Sequence, residues 1–170
     1  MNIPEACDYL TRARRDLWTT LEGVPDEGLS RPLIGGPRFQ CIKDLVFHTA
    51  SVEDGWLHHT ILQDEPVQHT FPVVKDIQDG PFCAEVPLGM LLAYWRAVEE
   101  STLAYLAGLK DDDLKRLVND SPTERFVLDG LLWHVMIHEM RHTAQIVLLL
   151  RIQGIQPPAL DLFFYLPSVL

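Results

Sequence analysis

Three histidines stand four residues apart near one end of this chain. His134, His138 and His142 lie in the run GLLWHVMIHEMRHTAQIVLLLRIQG, from Gly130 to Gly154. Residues at this spacing share one face of a helix, a turn apart. The run has glycine only at its ends, no proline, and strong helix formers between. That predicts one helix of about six or seven turns. Apolar residues lie nearly all round it, so a central, largely buried helix is expected. A single histidine on such a face is ordinarily a hydrogen-bonded core residue. Three on one stripe need partners, because unpaired buried polar groups are costly, and neutral imidazole is a common ligand of divalent metals.

A second source of imidazole lies upstream. Ile42, Leu45, Thr49, Val52 and Trp56 set the inner face of a helix predicted over Ile42–Leu62. On a wheel of about 100° per residue, His48 falls within about 60° of that face's centre. His48 is therefore expected to point inward, with Asp54 and His58 pointing away into solvent. His58 and His59 diverge by about 100° and cannot easily face one metal. His69 lies in a long loop, which positions a ligand poorly.

His48 with His138 and His142 can converge in a bundle core, where such sites are built from inward side chains on facing helices. Three protein nitrogens with an open fourth position is a catalytic rather than a closed structural arrangement. A metal held that way can generate hydroxide or bind a thiolate. Zinc and nickel both suit the ligand set. His134, one turn earlier, is expected either behind the ligands or hydrogen-bonded in the core. His138, Glu139 and His142 also spell HExxH, the zinc-peptidase motif with the glutamate as general base. No glutamate follows Glu139, and Gln145 and Leu148 occupy the places of the extended motif, so the peptidase reading lacks its third ligand.

The elements that must carry these residues are four helices. The first is predicted over Pro4–Glu22, with Ala6, Leu10, Ala13, Leu17 and Leu21 inward and Arg12, Arg14, Arg15 and Asp16 solvated. Residues 24–40 form a proline- and glycine-rich loop, and residues 63–86 a second, with Pro66, Pro72, Gly80 and Pro81. The third helix spans Pro87–Leu109. No strand and no internal repeat is evident. The fold class is all-α: a single domain over 1–170, a four-helix bundle with long connections. The apolar tail, with Phe163, Phe164, Tyr165 and Leu166, is expected to dock on the bundle or on a second subunit.

Composition narrows the function. Of 170 residues, 47% are hydrophobic and 22% charged, as in ordinary globular domains. A formal net charge of −10 argues against nucleic acid and anionic membrane partners. Cys7, Cys41 and Cys83 are odd in number and widely spaced, which fits a reducing cytoplasm rather than a disulfide framework. No signal-peptide core or membrane span is apparent.

The run HVMIHEMRHTAQIVLLLRIQG resembles the last-helix signature of the DinB/YfiT-like family, H-x-x-x-H-E-x-x-H-x-x-Q followed by an apolar stretch and LR-x-x-G. FHTASVEDGW resembles the family's helix-2 motif, a histidine followed five residues later by an acid, here His48 and Glu53. The resemblance runs the length of the chain, with helix 4 its specific part. It departs at Thr143, where many relatives carry arginine or histidine near the pocket. The resemblance implies a four-helix bundle, commonly dimeric, with divalent metal on His48, His138 and His142. It further implies a thiol-dependent S-transferase or isomerase of small molecules, with a low-molecular-weight thiol presented at the metal. Glu53, His134 and Glu139 are then expected around the ligands. A non-enzymatic metal-binding homodimer remains the alternative.

Overall fold

The computed structural model describes residues 1–77 and 83–167; Gly80 and Pro81 lie outside the described residues. Helix α1 (Ile3–Glu22) starts at a capping box. Asn2 Oδ1 accepts from the Glu5 N–H at 2.9 Å, and the Glu5 carboxylate accepts from the Asn2 N–H. Its expected inner residues Ala6, Leu10, Ala13, Leu17 and Leu21 are all buried. The first connection carries a short helix, α2 (Asp26–Ser30). Helix α3 (Ile42–Asp54) then runs without a break into a π-helical stretch, Gly55–Leu62. The combined rod matches the predicted bounds, but its last two turns are wound more loosely than a 3.6-residue wheel assumes. Helix α4 spans Leu88–Ala107 and α5 spans Leu128–Ile152.

Two expectations about elements are corrected. Leu117–Asn119 (β1) and Arg125–Val127 (β2) pair as a small antiparallel hairpin, with Leu117 opposite Val127. Strands of three residues are too short to show an alternating pattern. Helix α5, expected to be largely buried all round, leaves one face exposed. Every residue from Ile42 to Ala50 on α3 is buried, whereas α5 exposes His134, Ile137, Arg141, Ala144, Leu148 and Ile152 along one stripe. The reason is position: α3 packs against α2, α4, α5 and the connection at Val67–Thr70, while α5 leaves one face open.

The tail docks on α1. The Tyr9 hydroxyl donates to Leu160 O at 2.6 Å, Arg12 donates to Tyr165 O at 2.9 Å, and the Tyr165 hydroxyl donates to Asp16. Phe163 and Phe164 remain exposed.

The core falls into two apolar clusters. One is built around Leu17, Trp18, Leu45, Trp95 and Ile146, the other around Leu10, Leu128, Leu132 and Met136. On α1, Arg14 lies between Leu10 and Leu17; on α5, His138, Glu139 and His142 lie between Met136 and Ile146. These four buried polar residues thus lie between the two clusters along their helices, and packing there must satisfy hydrogen bonds rather than bury methyl groups.

Candidate metal centre

The structure brings His48, His138 and His142 together. One ligand nitrogen from each lies within 4.8 Å of the others, and all three residues are buried. His48 Nε2 and His138 Nε2 are 3.1 Å apart, and the His138 and His142 ring centroids 4.3 Å. Spacing explains the α5 half: i and i+4 stack on one face. The α3 half follows from the buried run Ile42–Ala50, in which His48 lies.

Chemistry of the donors fits a divalent ion. Burial pushes the His138 imidazole down to about 3, with His142, His48 and then Arg141 pushing the same way. Burial also lowers His142, and Arg141 lowers it further, against a hydrogen bond to Gln145 that raises it. Depressed imidazoles stay neutral and offer lone pairs at neutral pH. His142 Nδ1 stands 2.6 Å from Gln145 Oε1, so Nδ1 carries the proton and Nε2 is left for a ligand. In the sequence Gln145 stands out only as part of a signature; its i+3 spacing from His142 is the signal that points to this hydrogen bond.

An aromatic wall stands over the cluster. The Phe39 ring centroid is 4.3 Å from that of His48 and 5.9 Å from that of His142. Phe39 adopts a φ of 55°, left-handed backbone that a non-glycine residue takes only when its surroundings enforce it. They do so here: Leu33 and Ile34 donate to Gln40 O, and the Gln40 N–H donates to Asp44 at 2.8 Å. No periodicity singles out Phe39, because it lies in an irregular loop.

The residues expected around the ligands go elsewhere. Glu139 accepts from Arg14 through both oxygens, at 2.8 and 2.6 Å. Glu53 accepts from Arg14 at 3.0 Å, from Thr102 at 2.7 Å and from the Trp95 indole at 3.3 Å. Glu99 accepts from Arg14 at 3.1 Å and from Arg15. Arg14, expected in solvent, is therefore buried at the centre of three carboxylates. It lies just off the centre of the inner stripe, and only the carboxylates from three other helices make its burial tolerable. The cluster holds the guanidinium charged, chiefly through Glu139. Burial, together with the neighbouring acids, pushes Glu139 and Glu99 up, against the pull of Arg14. His134 is exposed, its ring edge-on to Trp56 at 5.2 Å and 6.1 Å from the His138 ring.

Asp54 and His58 are also corrected: both are buried. Asp54 accepts from the Val67 and Gln68 N–H groups at 2.9 and 2.8 Å and from the Tyr94 hydroxyl at 2.8 Å. His58 Nε2 lies 2.8 Å from Ser101 Oγ; its Nδ1 approaches Asp54 to 2.7 Å, but out of line for a hydrogen bond. This network clamps the π-helical stretch to α4 and to the connection covering it. His59 is exposed, diverging from His58 as expected, and His69 is exposed beside Glu65. No helix among the described residues is long and apolar enough to cross a membrane.

A family model described as the DinB family matches residues 1–168. No curated protein matches the chain. Among solved structures, the chain is similar to one described as the conserved protein of locus from Enterococcus faecalis. The TM-score is 0.68 at 17% identity, covering 89% of this chain and 97% of that one. At that identity the likeness concerns the fold alone.

Proposed function

The chain belongs to the DinB family, and from that premise we propose that it is a metal-dependent enzyme that uses a low-molecular-weight thiol to transfer sulfur or isomerise a small molecule. The observation that carries the reading is the convergence of three buried imidazoles from two helices, with ligand nitrogens within 4.8 Å of one another. His48, His138 and His142 would hold zinc or nickel, and the bound ion would supply Lewis acidity and stabilise a thiolate at neutral pH. Gln145 fixes the His142 tautomer, and Phe39 restricts water at the face it covers. Glu139 is committed to Arg14 through both oxygens and is not placed as a general base, which argues against peptide hydrolysis. The stripe of Ile137, Leu148 and Ile152 on α5, each more than half exposed, favours a homodimer. The three cysteines are free thiols, in keeping with a cytoplasmic setting.

Element analysis and competitive metal titration test the centre. Each of His48→Ala, His138→Ala and His142→Ala should weaken affinity at least about a hundredfold, beyond the effect usual for outer residues. Undiminished affinity in all three would sink the reading. Assays with glutathione and electrophilic acceptors then test the chemistry; metal binding with no turnover on any thiol would move the protein to a non-enzymatic metal-binding dimer.

A further inference from the structure

The three histidines are enclosed. His48 is 9% exposed, His138 8% and His142 4%. A hydrated ion, or a small ligand following it, reaches them only if something moves. The neighbours of the rings differ in how firmly they are held. Arg141 and Gln145, which approach His142, stand on α5 beside the ligands themselves. Phe39, whose ring lies against both His48 and His142, stands on a loop. Irregular connections open at lower cost than packed helices.

That loop is tied down at a few points. Leu33 and Ile34 donate to Gln40 O at 2.8 and 3.2 Å. The Gln40 and Cys41 N–H groups donate to one oxygen of Asp44, at 2.8 and 3.3 Å, and the Cys83 N–H donates to the other. Asp44 is buried and stands one turn before His48 on α3. One carboxylate therefore pins both long connections to the turn next to a ligand. Against these ties, Phe39 is held at a φ of 55°, and residues 35–38 at the tip of the loop are exposed. A left-handed phenylalanine is strained. Relaxing to a negative φ releases the strain, breaks the ties at Gln40 and turns the ring away from the histidines. The loop thus has a tethered, strained arrangement and a relaxed, untethered one. Building on the metal-centre reading, we propose that Phe39 is a gate: its ring closes the centre on that side, and metal and small ligands exchange when the loop over 33–40 swings out. Asp44 is a positioning residue that holds the gate shut.

A gate changes the rates of entry and exit together and leaves the equilibrium alone, whereas a residue that only packs the ligands changes affinity. Cobalt(II) uptake followed by visible absorption, and cobalt release to a chelator, give the two rates. Phe39→Ala and Phe39→Gly should each speed both at least about tenfold and leave the dissociation constant within about threefold. Glycine takes a positive φ without strain, so agreement between the two variants assigns the effect to the ring. Phe39→Tyr keeps the ring and should hold both rates within about threefold of wild type. Asp44→Asn turns an acceptor toward backbone N–H groups into a donor, and should speed both rates about fivefold with helix content by circular dichroism unchanged. Metal-free protein gives an independent readout. Diethyl pyrocarbonate, followed by mass spectrometry, should modify His48 and His142 at least about fivefold faster in Phe39→Gly than in wild type, with the exposed His134 as the unmoved reference. Failure of wild type to take up cobalt would refute the metal centre, while the rates of histidine modification still decide the gate. A Phe39→Gly variant that weakens affinity without speeding uptake makes Phe39 a packing residue and overturns the proposal. So does modification of His48 and His142 at the wild-type rate.

Discussion

His138 and Glu139 are neighbours in sequence and belong to two different buried polar clusters. His138 joins His48 and His142 toward α3 and the Phe39 loop; Glu139 joins Arg14, Glu53 and Glu99 toward α1 and α4. The first cluster gathers like groups that repel when charged and that could hold a divalent cation. The second gathers three carboxylates round a cation it already holds. The bundle uses the same layer for both: one cluster offers three imidazoles that could hold a cation, and the other surrounds a cation of its own. A cluster that surrounds its own cation stiffens the fold; a cluster of neutral imidazoles offers lone pairs for chemistry.

The sharpest way to break this contrast is to remove the internal cation. Arg14→Met takes the shared cation from three buried carboxylates and leaves only Glu99 with a counter-charge, that of Arg15, so it should cost about 3–5 kcal/mol of stability in urea unfolding. Replacing Glu53, Glu99 and Glu139 by glutamine in the same variant should recover most of it, since a buried charge is costly chiefly when its partner is missing. His142→Ala in metal-free protein should cost far less, because the His48–His138 contact survives and no charge is orphaned. Equal losses from Arg14→Met and His142→Ala would erase the distinction.

Acid should drive the two clusters in opposite directions. His138 is held at about 3, against an ordinary 6.5. The unfolded chain therefore takes up a proton that the folded chain refuses, and this contribution is present above pH 6.5 and is lost as pH falls toward 3. Glu139 and Glu99 are raised above their ordinary 4.5. Their contribution is complete below pH 4.5 and is lost as pH rises through their folded values. Metal-free protein should thus lose a few kcal/mol between pH 6.5 and 4, at about 1.4 kcal/mol for each pH step of one. Glu139→Gln should steepen the loss, and His138→Ala should flatten it. Identical pH profiles in wild type and His138→Ala would show that the histidines do not govern acid sensitivity.

The contrast also explains what could be read from sequence. Two of the three histidines share a helix at i, i+4, and His48 lies near the centre of an inward face, so periodicity alone finds them. The long helices emerge the same way. Arg14, Glu53, Glu99 and Glu139 come one from each of four helices, 39 to 125 residues from Arg14 to its partners. No local pattern links them: Arg14 singly reads as a solvated charge, and Glu53 and Glu139 read as neighbours of the metal ligands. Asp54 and His58 escape for a related reason: the connection over Val67–Thr70 covers them, and the wheel assumes α-helical winding through a π-helical stretch. Phe39 is invisible because loop conformation is set by hydrogen bonds to Gln40 and Asp44, not by spacing.

The smallest effect probes how far the open cluster depends on its support. Gln145 holds His142 Nδ1 at 2.6 Å, which leaves Nε2 unprotonated toward His48 and His138. Gln145→Leu fills similar space but removes the acceptor, so the His142 ring can take either tautomer and rotate. The hydrogen bond also raises the His142 imidazole against burial, so its loss should lower the basicity of that ligand further. Metal affinity should fall about tenfold, the lower end of what changes to such supporting groups cost. Metal-free stability should move by less than about 1 kcal/mol, because Gln145 is exposed. Gln145→Glu should restore the acceptor and bring affinity back to within about threefold of wild type. A Gln145→Leu variant that binds metal like wild type would mean that packing by Phe39 and α3 orients His142 unaided. If Gln145→Glu failed while Gln145→Leu also failed, the amide's other atoms, rather than its acceptor, would be what the ring requires.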